Sequence, residues 1–141
     1  MDKINLTQKL SLFNDYWNPR IVGELNGQLV KLVKFKGPFT WHHHENEDEL
    51  FLVVKGRFRM EYRDSDAVSR ANQKSDSACE RETYRERAVW LEEGELIVVP
   101  RGTEHRPVAD EGCHVLLFEP ASTLNTGNVE NEFTVKKLEK I

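Results

Sequence analysis

Short runs of strand length recur along this chain, and most of them end at a glycine, a proline or an asparagine–glycine pair. The clearest are the apolar run 50–54, the alternating run 57–63 and the apolar run 115–118. Asn26-Gly27 separates two further runs and is the strongest short-range signal for a β-hairpin. Another turn is expected at 110–112. Many short strands at regular spacing are typical of a sandwich or a barrel, so the sequence predicts an all-β fold.

The run 57–63 shows which side chains face the interior. Phe58, Met60 and Tyr62 alternate with charged residues. Successive side chains of a strand point to opposite faces, and a strand with one face in water buries its apolar set. We therefore expect these three side chains to line the inside of the fold.

Two segments depart from the strand pattern. Residues 5–13 place Leu6, Leu10 and Phe13 on one helical face, which predicts a short amphipathic helix at the N-terminus. Residues 64–88 are polar and too long for an ordinary hairpin loop. This insertion is interpreted either as a solvated loop between two strands or as a lid over the mouth of a barrel.

Composition and length limit the number of domains and the kinds of partner that this chain can have. A chain of 141 residues suits one domain, taken here as 1–141. The net charge is −4 and the basic residues are scattered, which excludes the basic stripe of a nucleic-acid-binding protein. No apolar run reaches the roughly 20 residues of a membrane helix, and residues 1–10 lack the apolar stretch that is typical of a signal peptide. Cys79 and Cys113 are interpreted as free thiols of a cytoplasmic protein, with a disulfide as the alternative.

Two histidines form the first candidate site. His42 and His44 lie on the same side of an extended segment, and His43 lies on the other side. Their Cα atoms would be about 6.5–7 Å apart, which lets both imidazoles reach one metal ion. The same pair also fits a solvated strand end, so both interpretations stay open on these residues alone.

Glu49 favours the metal interpretation. It opens the apolar strand 50–54, where a carboxylate is costly to bury unless a cation compensates its charge. If Glu49 points inward, Leu50, Leu52 and Val54 point outward. An apolar outer face needs a cover, so we expect a second sheet or the partner subunit of a homodimer there.

The first motif resembles that of the cupin superfamily. That motif has a histidine-x-histidine pair, a glutamate after four more residues and a glycine after six more. The sequence has His42, His44, Glu49 and Gly56 at these positions. The leading glycine of the motif, if it is Gly37, lies one residue closer than is usual.

The second cupin motif follows, beyond the insertion. It runs glycine, five residues, proline-x-glycine, two residues and histidine, with an asparagine four positions further on. The chain matches it at Gly94, Pro100, Gly102 and His105, and has Ala109 in place of the asparagine. A lone histidine is more often a structural residue, but this match makes His105 a candidate ligand. The two motifs span about half of the chain, which is similar to small cupins without an assigned activity.

The resemblance implies a double-stranded β-helix, that is, a jelly-roll barrel. It also implies that His42, His44, Glu49 and His105 converge on one divalent transition metal. Iron, manganese, zinc, nickel, cobalt and copper all suit this donor set. Inward-facing residues would line a cavity for a small organic ligand, namely Phe51, Val53, Phe58, Met60 and Tyr62.

Three functions stay open from the sequence. The first is a metal-dependent enzyme on a small molecule, with dioxygenase-type or sugar-isomerase-type chemistry. The second is a metal-dependent protein that binds or senses a small molecule without turnover, and the third is a purely structural or storage cupin. Arg101 and Glu104 fall near the expected rim, where they would contact a substrate or be ordinary exposed turn charges. No catalytic residue is assigned.

Overall fold

The computed structural model describes residues 1–65 and 84–141. These ranges contain one short helix and seven strands, so the predicted class, all-β with an N-terminal helix, is confirmed. The elements in chain order are α1 (Leu6–Leu10), β1 (Arg20–Leu25), β2 (Gln28–Pro38), β3 (Glu49–Lys55), β4 (Phe58–Ser65), β5 (Tyr84–Leu91), β6 (Leu96–Val99) and β7 (His105–Pro120).

The predicted insertion is described only at its two ends. Its first residues belong to β4 and its last ones to β5, and these two strands pair with each other up to Ser65 and Tyr84. Residues 66–83 lie outside the described residues. The choice between a lid and a solvated loop falls there, and so does Cys79. Cys113 is a buried free thiol, and burial raises its pKa to about 12.

The long strand β7 organises the sheet. The sheet runs β1-β2-β7-β3-β6, and β4 pairs with both β5 and β7. The first part of β7 pairs with β4, whereas its last part pairs with β2 and β3. One strand therefore belongs to both halves of the sheet. Buried side chains of β2 to β7 meet in one apolar core, which closes the sheet around a common interior.

The prediction of a turn at 110–112 is wrong, because β7 continues through these residues as a strand. Phe35 pairs with Cys113, but two residues later Gly37 pairs with Ala109, so β7 has extra residues opposite β2. Such an irregularity bends a strand without ending it. The polar residues that indicated a turn therefore mark the bend between the two halves of β7.

The apolar residues that alternate with charged ones in β4 face the interior, as the sequence predicts. Phe58 and Met60 are fully buried, and Tyr62 is half-buried toward the end of the strand. The Asn26-Gly27 turn also joins β1 and β2 as a hairpin, with φ values of 50° and 76°. These left-handed values at both central residues match a turn that asparagine and glycine favour.

Helix α1 is shorter than the predicted 5–13. The Asn5 side chain caps it by accepting the Gln8 N–H at 3.0 Å, and the Ser11 hydroxyl donates to the Gln8 carbonyl at its end. A serine that bonds the backbone competes with further helical turns. No helix in the described part of the chain is long and apolar enough to cross a bilayer.

The outer face of β3 is covered in part by the chain itself. Leu10 and Phe13 pack with Val22 and Leu32 in a second apolar cluster, against which Val54 also packs. The N-terminal segment thus supplies part of the cover that the sequence required.

The rest of that face lies beside the edge strand β6. Leu52 pairs with Leu96 and Leu50 pairs with Val98. Leu96 and Val98 are 57% and 51% exposed, so an apolar patch remains at this edge. The expectation of a partner subunit stays a prediction.

The packing of the N-terminal segment can be tested with Leu10→Ala. Leu10 is buried, so removing its side chain should lower the free energy of unfolding by about 2–3 kcal/mol. Leu12→Ala is the control, because Leu12 is 64% exposed and its loss should cost under about 0.5 kcal/mol. Urea denaturation measures both. Equal effects would show that the segment is not docked on the sheet.

Candidate metal centre

Backbone hydrogen bonds bring the first and last predicted ligands together. The His42 N–H donates to the His105 carbonyl at 3.1 Å, and the His105 N–H donates to the His42 carbonyl at 2.9 Å. This antiparallel bridge joins the segment before β3 to the first residue of β7. The Gly102 N–H also donates to the His44 carbonyl at 2.7 Å, so the turn after Pro100 is tied to the histidine segment.

Glu49 enters the same site from β3. It is the first residue of that strand, and its pairing with Val99 fixes its direction toward the interior. One carboxylate oxygen, Oε1, lies 2.8 Å from His44 Nε2, and the other, Oε2, lies 3.1 Å from His105 Nε2. The structure therefore brings together all four residues that were predicted to meet. All four are buried, and one ligand atom from each lies within 4.8 Å of the others.

The ring orientations fit a cation. The ring atom Nδ1 of His42 lies 3.0 Å from the Thr40 carbonyl, and that of His105 lies 2.7 Å from the Thr103 carbonyl. A carbonyl only accepts, so each Nδ1 carries the proton and a neutral ring has a lone pair on Nε2. That lone pair of His105 faces the Glu49 carboxylate, a contact that needs a proton or a metal ion between them.

His44 adds a second observation in favour of an ion. Its Nε2 is buried and lies 2.8 Å from Glu49 Oε1, yet no group in the described ranges makes a well-aligned hydrogen bond to it. Orphaned buried nitrogens are rare in proteins and call for an explanation such as a metal ion. Three imidazoles and one carboxylate are also an ordinary donor set for a divalent transition metal. The residues present thus fit the ion that the sequence predicts.

The protonation of the site favours metal binding at neutral pH. Burial lowers the pKa of His42 to about 3, and the neighbouring His105 adds to this shift. His42 is therefore neutral at pH 7, as a ligand must be. Burial alone would raise the pKa of Glu49, but the adjacent imidazoles of His105 and His44 outweigh burial and hold that pKa below its ordinary value.

His43 lies outside the cluster, as its position in the sequence predicted. Its two ring nitrogens lie 2.7 Å from a Glu45 carboxylate oxygen and 3.0 Å from one of Glu104. Hydrogen bonds to Glu45 and Glu104 raise the pKa of His43 despite partial burial. This ion-paired group links the histidine segment to the turn before β7, and Glu104 is thereby assigned a contact with His43.

A cavity of about 740 Å³ opens at the same end of the fold. Apolar and charged side chains share its wall, among them Met60, Tyr62, Val99, Arg63, Arg101 and Glu104. A second, much smaller cavity of about 30 Å³ lies next to His42 and Glu49, and Phe51 lines it. The two other residues predicted to line a cavity, Val53 and Phe58, are buried in the apolar core.

Sequence reasoning missed two parts of the site. Lys31 and Glu119 form a buried ion pair, and Glu119 lines the small cavity with Glu49. Burial and the Glu49 carboxylate raise the pKa of Glu119, and Lys31 acts in the opposite direction. The only available signal was a charged residue on the inward face of a strand. In the sequence, however, the residues of β2 and β7 did not reveal which face points inward.

The second missed part is a loop after β7. The Asn128 side chain accepts the His43 N–H at 2.9 Å, and the Asn128 N–H donates to the His43 carbonyl at 3.1 Å. Gly127 has a φ of +54° and lies directly against this segment. A Cβ at position 127 would be 2.2 Å from the His43 carbonyl oxygen and 3.2 Å from the His42 ring. The loop thus holds the histidine segment from outside.

Comparison with known proteins shows the family to which this chain belongs. A family profile described as "Cupin" matches residues 21–140. The uncharacterized protein YdbB of Bacillus subtilis (strain 168) is 30% identical over 86 residues, which make up 60% of this chain and 57% of YdbB. The matched segment therefore spans little more than half of that relative's length.

Solved structures with a similar fold agree with the family match. A cupin-2 domain containing protein from Shewanella frigidimarina NCIMB 400 is 36% identical, with a TM-score of 0.66 over 83% of this chain and 93% of that chain. The hydroquinone 1,2-dioxygenase PnpCD, solved in complex with Fe³⁺, is 15% identical, with a TM-score of 0.66 over 86% of this chain and 33% of that chain. The likeness to the dioxygenase concerns the fold alone.

The close approach at Gly127 makes a testable prediction. Gly127→Ala should lower the free energy of unfolding by about 3 kcal/mol or more, because the new methyl group displaces the His42–His43 segment. Gly94→Ala is the matched control, since Gly94 also has a left-handed φ, +80°, but nothing lies within 4 Å of its added Cβ. Its cost should stay at about 1–2 kcal/mol. Denaturant unfolding distinguishes the two, and equal losses would refute the contact.

Proposed function

Because the chain belongs to the cupin family, we propose that it is a metal-dependent enzyme acting on a small organic molecule. The observation that carries this proposal is the buried group of three imidazoles and one carboxylate, whose ligand atoms lie within 4.8 Å of one another. Buried groups with shifted pKa values next to a cavity are the usual mark of a functional site.

We assign the metal to His42, His44, Glu49 and His105. The donor set suits iron, manganese, zinc, nickel, cobalt or copper, because affinity alone does not select among these ions. A bound ion supplies Lewis acidity and a fixed point that orients a small ligand. Four protein ligands would leave part of the coordination sphere of such an ion open to that ligand.

The residues of the chain itself point to the substrate class. Met60, Tyr62 and Val99 give the 740 Å³ cavity an apolar wall, whereas Arg63, Arg101 and Glu104 give it charged groups. Such a cavity suits a small organic molecule that has an apolar body and a few polar groups. Dioxygenase-type and sugar-isomerase-type reactions both use substrates of this kind. The two are distinguished by oxygen consumption, which only the former requires.

A non-catalytic role is the alternative outcome of the same assay. A protein that binds or senses a small molecule would be stabilised by its ligand, since a ligand that binds only the folded state raises the midpoint of unfolding. It would form no product. A thermal-shift screen of small metabolites on the metal-loaded protein, followed by product analysis of each hit, separates the two functions.

The metal assignment makes a direct prediction. Wild-type protein should contain about one transition-metal ion per chain, and the double variant His42→Ala/His44→Ala should contain none, because two of four ligands are lost. His43→Ala and His114→Ala are the controls, since both residues lie outside the buried cluster. Elemental analysis of protein purified without added metal gives the answer. Retention of one ion per chain in the double variant would refute the ligand assignment.

We further propose that a second copy of the chain covers the apolar edge formed by Leu50, Leu52, Leu96 and Val98. β6 is the last strand of its row in the sheet, and a two-fold axis places one such patch on another. Light scattering should therefore report a dimer, and Leu96→Glu/Val98→Glu should convert it to a monomer. Leu25→Glu, on the exposed surface of β1, is the control and should leave the dimer intact. A monomeric wild type would refute the proposal.

A further inference from the structure

Three basic side chains form a row across neighbouring strands, far from the proposed metal centre. Lys34 of β2 and Lys55 of β3 both stand opposite His114 of β7 in the strand pairing. Neighbouring strands lie about 4.7–4.9 Å apart, so the two lysines flank the histidine across a span of roughly 10 Å. We call these three residues the basic row. The whole protein has a net charge of −4, so a local excess of positive charge does not follow from its composition.

Strand geometry directs the basic row to the outer face of the sheet. Lys34 and His114 each lie between two core residues of their own strand, so both side chains point away from the core. Lys55 joins the row through a register shift that follows Val53 in β3. Without that shift, Val54 would stand opposite His114. Irregularities of this kind re-aim a side chain and are frequent next to functional sites.

The basic row lines a cavity of about 480 Å³. The segment that follows α1 supplies another part of its wall, with Asn14 and Tyr16. The amide of Asn14 and the hydroxyl of Tyr16 are both able to donate hydrogen bonds. A cavity of this size accommodates a small organic molecule. Donors and positive charge thus surround one space on the surface of the protein.

Carboxylates do not neutralise the two lysines. Lys34 Nζ donates to the Phe13 carbonyl at 2.6 Å and lies 4.9 Å from the centroid of the Phe13 ring, so neutral groups hold this ammonium in place. Lys55 forms no ion pair in the described part of the chain. Glu93 is the one carboxylate among the described residues of the wall, and it accepts the Gly56 N–H at 3.0 Å. Both ammonium charges therefore remain available to an anion.

His114 supplies a hydrogen-bond donor between the two charges. Burial lowers its pKa, and Lys34 and Lys55 lower it further, so the ring is neutral at pH 7. A neutral imidazole has one N–H that donates. An anion bound between the lysines would oppose their effect, because a nearby negative charge favours the protonated ring.

We propose that the basic row binds a phosphate group, either free phosphate or the phosphate of a small organic molecule. Lysine binds phosphate as a point charge, and hydrogen bonds to a charged oxygen are stronger than those between neutral groups. The site is separate from the proposed metal centre. Glu49 begins β3 and Lys55 ends it, so the two lie about 20 Å apart along that strand.

The test titrates inorganic phosphate into the protein at an ionic strength kept constant with chloride. Calorimetry gives the affinity, and NMR follows the imidazole signal of His114, which is assigned by its loss in His114→Gln. Lys55→Gln removes one charge of the basic row, and Lys55→Arg retains it. Lys137→Gln is the matched control, because it removes the charge of an exposed lysine outside the cavity.

The proposal expects saturable binding of phosphate and a rise in the pKa of His114. The other titratable groups of the cavity wall are Lys34, Glu93 and Tyr16, and they are the same in both Lys55 variants. Lys55→Gln should bind phosphate about 10-fold more weakly, the loss expected when one hydrogen bond to a charged group is removed. Lys55→Arg should stay within about threefold of the wild type, since the charge remains. Lys137→Gln should bind as the wild type does.

Two results would overturn the proposal. The first is equal affinity in Lys55→Gln and the wild type, and the second is a His114 signal that shifts without saturation. Protein stripped of metal by a chelator, which is then removed, should bind phosphate unchanged. A loss of binding there would also count against the basic row, because the phosphate would then be held by the metal.

Two further ligands define the chemistry of the site. Acetate has one negative charge and should bind at least about 10-fold more weakly than phosphate, because it cannot satisfy both lysines. Equal binding of acetate would overturn the assignment to phosphate. Glycerol 3-phosphate distinguishes the two sources of the group. If it binds as tightly as phosphate, the site takes phosphorylated molecules, and if only inorganic phosphate binds, the site takes the free ion.

Discussion

The carboxylate of Glu49 lies in the interior of the sheet, and a buried charge there must be met by donors, by other charges or by a cation. Much of the surrounding structure serves this requirement. His44 and His105 approach its two oxygens, and Glu119, paired with Lys31, lines the small cavity beside it. A β-fold with a wholly apolar interior would need none of these groups. Their presence around one carboxylate is the physical reason for proposing a metal ion here.

Strand β7 makes this arrangement possible. His105 is its first residue and Glu119 its second to last, so one strand supplies a proposed ligand and a carboxylate that lines the small cavity beside another ligand. The bend near 110–112 lets the strand pair with β4 at one end and with β2 and β3 at the other. The two ends of a straight strand of 16 residues would lie about 50 Å apart. The irregularity that sequence analysis interpreted as a turn therefore brings both residues to the same interior.

Local sequence patterns predicted individual strands and their inward faces. They could not predict how strands that are distant in the chain pair with one another. The alternation in β4 predicted that Phe58 and Met60 face inward, because it depends only on the period of a strand. In β2, Leu32 has buried neighbours on both sides, because α1 packs over the outer side of the strand. Where both faces of a strand are covered, apolar and polar residues no longer alternate along it. For that reason Lys31 could not be assigned to the interior from the sequence.

The sequence by itself determined the all-β class, the two motifs and the four residues proposed to bind a metal, because strand period and residue spacing are local properties of the chain. Only the tertiary structure decided that Gly127 and Asn128 support the histidine segment from a loop more than 80 residues away. It alone also paired Lys31 with Glu119 and brought Glu119 to the small cavity that Glu49 lines. These contacts depend on how distant strands pair, and no spacing within one segment records that pairing.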